Sequence, residues 1–148
     1  MIKRMAVSFG VVMALAGCGQ SHNESASIPS IADKLIGHEF VLQELDGQAW
    51  NQQEGSPVML RFQRDGEDQS LRVAGKLCNN FNGAGQLEGD SLTVKGTAMT
   101  RMLCANDTLN ALDQSVSQML EKGVRLSLDN TTLTLSGDAH TLVYRQQD

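Results

Sequence analysis

The chain has 148 residues, enough for one domain with a core of its own. Its formal net charge of −5 argues against nucleic acid as a partner, because phosphate binding needs a basic footprint. It also carries no polybasic patch suited to anionic lipid heads.

The chain opens MIKRMAVSFGVVMALAGC. Lys3 and Arg4 precede an apolar run from Met5 to Ala16, and small residues lead into Cys18. A cationic start, a short apolar run and a small-residue cleavage site predict a secretory signal peptide over residues 1–17. The run is shorter than the roughly 20 residues a membrane-spanning helix needs. Leu15-Ala16-Gly17-Cys18 resembles the lipobox of bacterial lipoproteins, in which the cysteine is acylated and becomes the mature N-terminus. Two or three acyl chains make such an anchor stable where one does not. Gly19 follows Cys18, and by analogy with enterobacterial sorting this favours the outer membrane, with the domain facing the periplasm. Residues 18–30 then read as a lipidated cysteine and a flexible tether, polar and without apolar period.

With Cys18 assigned to lipid, Cys78 and Cys104 remain as an even pair. In an oxidising compartment their expected fate is a disulfide. It closes a loop of about 27 residues, worth roughly 3–4 kcal/mol by chain entropy.

The folded domain is expected over residues 31–148. Alternating runs recur along it: His38 to Leu45, Val58 to Gln63, Leu71 to Gly75, Gly85 to Glu88 and Leu92 to Lys95. Val124 to Leu128, Thr132 to Ser136 and Thr141 to Arg145 follow. Asp46-Gly47, Asp65-Gly66, Gly89-Asp90, Asp129-Asn130 and Gly137-Asp138 supply turns between them. From Asn106 to Lys122 the period changes. Leu109, Leu112, Val116, Met119 and Leu120 form a helical stripe, with Asn106 or Asp107 as N-cap and Gly123 placed as a left-handed C-cap. The predicted fold class is α+β: an antiparallel sheet or partly open barrel of about eight strands, with one main helix packed on it.

Catalytic and metal patterns are sparse. No Gly-x-Ser-x-Gly elbow, phosphate loop or His-Glu-x-x-His occurs. A thiol nucleophile would need Cys78 or Cys104 with His38 or His140, and a disulfide consumes both thiols. Asp65, Glu67 and Asp68 resemble a calcium loop in composition only, and the bland reading is a solvated turn. No metal or cofactor is expected. Met99, Met102 and Leu103 are expected to fill the core beside the disulfide, with Arg101 snorkelling or pairing with a carboxylate.

The run GKLCNNFNGAG, Gly75 to Gly85, reads as a stapled turn. Cys78 anchors it, Phe81 plugs into the core, and asparagines and glycines shape the backbone. Asn79, Asn80, Phe81, Asn82 and Arg101 are the candidate binding residues.

Gly75-Lys-Leu-Cys-Asn-Asn-Phe-Asn-Gly83 resembles the G-x-x-C-N-x-F-x-G signature of the META/HslJ domain family. Ala98-Met-Thr-Arg-Met-Leu-Cys-Ala105 resembles its T-R-M-x-C signature, in the right order. One departure is Gln86 after Gly85, where many relatives carry an aromatic. The resemblance implies a small, non-enzymatic outer-membrane lipoprotein of the heat or envelope stress response. Relatives are linked to novobiocin resistance, and no cofactor or catalytic residue carries over. The expected partners are the membrane, through Cys18, and an envelope protein or a small apolar ligand. Two other functions are open: a pilot-like carrier sheltering an acyl chain in an apolar cavity, and a periplasmic hydrolase inhibitor using the Asn79–Asn82 loop.

Overall fold

The structure is a computed structural model and describes residues 30–51 and 57–148. The predicted signal peptide, Cys18 and the tether up to residue 29 lie outside the described residues. Among the described residues, no helix is long and apolar enough to cross a membrane.

A short helix comes first, α1 (Ile31–Leu35), capped by Ser30, whose side chain and that of Asp33 close a capping box. Nine strands follow: β1 (Glu39–Leu45), β2 (Gln48–Ala49), β3 (Met59–Asp65), β4 (Ser70–Lys76), β5 (Asn80–Glu88), β6 (Ser91–Met99), β7 (Val124–Asp129), β8 (Thr132–Ser136) and β9 (Thr141–Gln147). The main helix, α2 (Asp107–Lys122), stands between β6 and β7. All strand pairs are antiparallel, in the order β2-β1-β3-β4-β5-β6-β7-β8-β9. β1 also pairs with β9 from Glu39↔Gln147 to Leu45↔Leu142, which closes the eight long strands into a barrel. The two-residue β2 is an outrigger on β1.

The alternation in the sequence is the wall of this barrel seen one residue at a time. Phe40 and Leu42 point in from β1, Leu60 and Phe62 from β3, Val73 from β4 and Leu92 and Val94 from β6. β7, β8 and β9 add Leu126, Leu133, Leu135, Leu142 and Tyr144. An eight-stranded barrel is just wide enough for such side chains to fill it. The rings of Phe40 and Phe62 meet edge to face at 6.0 Å. This packing counts against the acyl-chain cavity a carrier would need, because side chains occupy the interior.

The ring of strands is uneven. β6 pairs with β5 along most of its length, but with β7 only at Ser91↔Arg125 and Leu92↔Val124. Beyond Leu92 the two strands part, and α2 lies against β6. Its buried stripe, Leu112, Val116, Met119 and Leu120, completes the core there. Asn106 is the N-cap, its side chain accepting from the N–H groups of Thr108 and Leu109. Gly123 ends the helix at φ 116°, ψ 139°, an extended glycine conformation in place of the expected left-handed one.

The Asn-rich run also differs from expectation. Only residues 77–79 bend, and Asn80 to Gly83 already belong to β5. The reason is the register Gly75↔Phe81. A Cβ on Gly75 would stand 2.6 Å from Phe81 Cζ, so glycine leaves room for the ring across the strand pair. Gly83 serves the same end, since a Cβ there would stand 2.6 Å from Val94 Cγ1.

Candidate functional site

Cys78 and Cys104 are disulfide-bonded, with Cα atoms 6.0 Å apart. The bond joins the β4–β5 bend to the segment Thr100–Asn106, which leaves β6 and enters α2. Asn79, beside it, is buried and holds the two segments in register. Its Oδ1 accepts from Thr100 Oγ1 at 2.9 Å and from Met102 N at 2.7 Å. Its Nδ2 donates to Met102 O at 2.9 Å and to Asp113 Oδ2 at 2.8 Å. Four bonds are all that a side-chain amide can make, so Asn79 is saturated.

Asp113 is the residue that sequence reasoning missed. It is buried on α2, within the apolar stripe between Leu112 and Val116. Besides Asn79 Nδ2, its carboxylate accepts from the backbone N–H groups of Cys78 (3.1 Å) and Asn79 (3.1 and 3.2 Å). Amide dipoles rather than a cation satisfy it, since no ion pair to it exists among the described residues. A charged residue on a helix's apolar face was the available signal, because such a group is buried only when bonded. Asn110, one turn earlier, clasps Cys104 by accepting from its N–H at 3.0 Å and donating to its C=O at 2.8 Å.

The five candidate binding residues therefore divide. Asn79 and Phe81 are buried and spent on the fold. Asn80 is exposed, and its N–H donates to Thr100 Oγ1. Asn82 is exposed and accepts from Arg72 Nη1 at 3.0 Å. Arg101 is exposed and makes no ion pair or side-chain hydrogen bond among the described residues, where a carboxylate partner or snorkelling was expected.

The segment after β6 also departs from expectation. Met99 packs on the core, but Met102 is 63% and Leu103 93% exposed. The backbone of Met102 is held by Asn79, and that grip turns both side chains outward. They stand on the lip of an open groove of about 650 Å³ between β6 and α2. Thr97, Met99 and Arg101 line one side and Asn110, Gln114 and Gln118 the other. Thr97 Oγ1 is the one buried side-chain oxygen or nitrogen without a partner among the described residues.

A second constellation lies where α2 meets the turns of the barrel. Ser115 Oγ is 2.9 Å from His140 Nε2, and His140 Nδ1 is 2.8 Å from Asp46 Oδ2. The order of atoms is that of a serine-hydrolase triad. Ser115 sits in mid-helix, however, where backbone N–H groups are spent on i−4 carbonyls and cannot form an oxyanion hole. The array instead clamps α2 to the β1–β2 and β8–β9 turns. The N–H of Thr141, first, and then the His140 imidazole hold the Asp46 carboxyl below the ordinary carboxylate range. Three distant segments supply these residues, and no local pattern announces them.

No group of three or more His, Cys, Asp or Glu side chains among the described residues is placed to hold a metal ion. Asp65 pairs with Arg72, and Asp68 accepts from Ser70 N in the same turn.

The junction just described is built from the two motifs that suggested a family. A family model for the META domain matches residues 33–148. The chain belongs to the META domain family. It is similar to the heat shock protein HslJ of Escherichia coli (strain K12), with 34% identity over 147 residues, 99% of this chain and 98% of that one. Among solved structures, an NMR structure 38% identical covers 77% of this chain and 92% of its own, with a TM-score of 0.66. An NMR structure of a protein from Burkholderia xenovorans, 18% identical, covers 99% of both chains at a TM-score of 0.60 and shares the fold. In this META domain the first signature supplies Gly75, Cys78, Asn79, Phe81 and Gly83, and the second supplies Thr100, Met102 and Cys104. Of these, Asn79, Thr100 and Met102 line the groove.

Proposed function

We propose that this protein is a non-enzymatic lipoprotein, anchored in the outer membrane through Cys18, that acts under heat or envelope stress by binding a partner at the α2–β6 groove. The carrying observation is the outward-held pair Met102 and Leu103 beside a groove whose only exposed charge among the described residues is Arg101. Adjacent large apolar side chains held out in water by a disulfide and a saturated amide favour recognition over packing. The likeness to a heat shock protein supports the stress setting. The family's link to novobiocin resistance comes to this chain as part of the same reading.

The position of the tether fits an anchored binder. Ser30 borders a second groove with Leu71, Leu87 and Gly89, at the opposite end of β5 and β6 from Met99 and Asn79. The nine residues of β5 separate the two ends by about 27 Å, so the attachment of the tether at Ser30 leaves the α2–β6 groove unobstructed.

The test is complementation of a deletion strain challenged with heat and with novobiocin. Wild type should restore survival and fractionate with the outer membrane. Cys18→Ser should lose the membrane fraction, and Arg101→Glu with Leu103→Ser should stay anchored, stay folded and fail to protect. Full protection by that double variant would remove the groove from the function.

A further inference from the structure

Beyond Leu92, no strand among the described residues pairs with the far side of β6. The groove opens along that side, bordered by Thr97 and Met99 of β6 and by α2 opposite. An unpaired strand edge is a template for another extended backbone, and a groove beside it supplies places for alternate side chains. The width of the gap follows from the fold. The C-terminal end of α2 covers β6 at Thr93 and Lys95, and from Thr97 to Met99 the groove lies between them, with Gln114, Ser117 and Gln118 on its far side.

The charges select the kind of segment. Among the described residues Arg101, just past the end of β6, is the only exposed charged side chain on the groove, and Lys95 of β6 donates its Nζ to Glu121 O at 3.0 Å. The one carboxylate on the lining, Asp113, is buried and occupied by N–H groups. A chain with formal net charge −5 therefore presents a cation, Arg101, at this groove. Leu103 and Met102 add an apolar lip, and a thioether adapts to varied side chains.

We infer that β6 receives an extended segment of another protein, apolar and acidic, which adds beside the edge at Thr97–Met99, past the bulge at Gly96, and sets an acidic side chain against Arg101. The inference rests on the groove being the working surface, and it names the occupant's chemistry. Thr97 Oγ1, unpartnered among the described residues, lies on the wall this segment covers.

The probe is a phage-displayed library of random peptides of about ten residues, long enough to span the edge. It is selected on the full-length protein in detergent micelles. Enriched peptides should alternate apolar and polar residues and carry an acidic one. Bound, they should slow amide exchange across Thr97–Met99. Methylating alternate peptide nitrogens should abolish binding, and Arg101→Glu should weaken it by about tenfold or more. Binding that ignores backbone methylation or the Arg101 substitution would overturn the inference. So would displacement by a fatty acid, self-association through the groove, or no enrichment. Complementation by the groove variants reads the underlying function separately, so a protein whose groove is needed for survival but which selects no acidic strand fails this inference alone.

Discussion

Asn79 and Gly75 carry the residue-scale logic of the molecule. Asn79 uses its full hydrogen-bonding capacity to join the β4–β5 bend to Met102 and Asp113, while Asn80 and Asn82, its neighbours in the sequence, face water. Composition alone cannot separate these asparagines, because the distinction is one of burial. Gly75 is legible only through its partner. Alanine there would bring its Cβ to 2.6 Å from Phe81 Cζ and 2.7 Å from Met59 O. Gly75→Ala should lower stability by about 1–3 kcal/mol in urea unfolding, the range for overpacking. In a Phe81→Leu background the added loss should be smaller, since the ring accounts for part of the clash and the Met59 carbonyl for the rest. A loss of equal size in both backgrounds would show that the ring is not the obstacle.

At the scale of elements, α2 is held by polar groups as much as by its apolar stripe. Asp113 fastens it to the β4–β5 bend, and Ser115, through His140 and Asp46, fastens it to the turns at β1 and β9. Asp113→Asn turns an NH₂ toward donors that need an acceptor. It should cost about 2 kcal/mol, near the middle of the range for an unsatisfied buried group, read as a shift of the urea midpoint. Asp46 adds a pH dependence. Its folded pKa lies below the ordinary carboxylate value, so its contribution is present above about pH 4 and is lost as pH falls through the lower folded value. Asp33 and Asp138 are lowered in the same direction, by Ser30 and by Lys122. Stability should therefore fall as pH drops below about 4, and Asp46→Asn should make that fall shallower. An unchanged slope in this variant would show that the clamp carries no charge-linked stability.

The whole molecule is a closed barrel with one weak seam. Pairing of β1 with β9 removes the sheet's outer edges, and the short β6–β7 contact leaves the place where α2 and the groove sit. The Cys78–Cys104 bond spans the segment that contains β5, β6 and the entry to α2. Reduction should lower stability by roughly 3–4 kcal/mol. The barrel is expected to persist, because its β1–β9 closure and most of its interior side chains lie outside the bridged segment. Circular dichroism with and without reductant, across a urea series, checks both statements. Loss of strand signal on reduction in the absence of urea would show that the bond is required for the fold.

Periodicity, turn dipeptides and cysteine parity sufficed for the strand wall, the long helix and the disulfide partners. Each is a local pattern or a count: alternate residues reach one face of a strand, every third or fourth reaches one face of a helix, and two thiols pair. The order of the two motifs likewise sufficed for the family. Closure through β1 and β9, the buried Asp113, the Asp46–His140–Ser115 clamp and the exposure of Met102 and Leu103 were decided by tertiary structure. Each depends on groups brought together from distant parts of the chain. The sequence marks Met102 and Leu103 as apolar and so predicts burial. Only Asn79, holding the backbone of Met102 from across the barrel end, turns them into the lip of a groove.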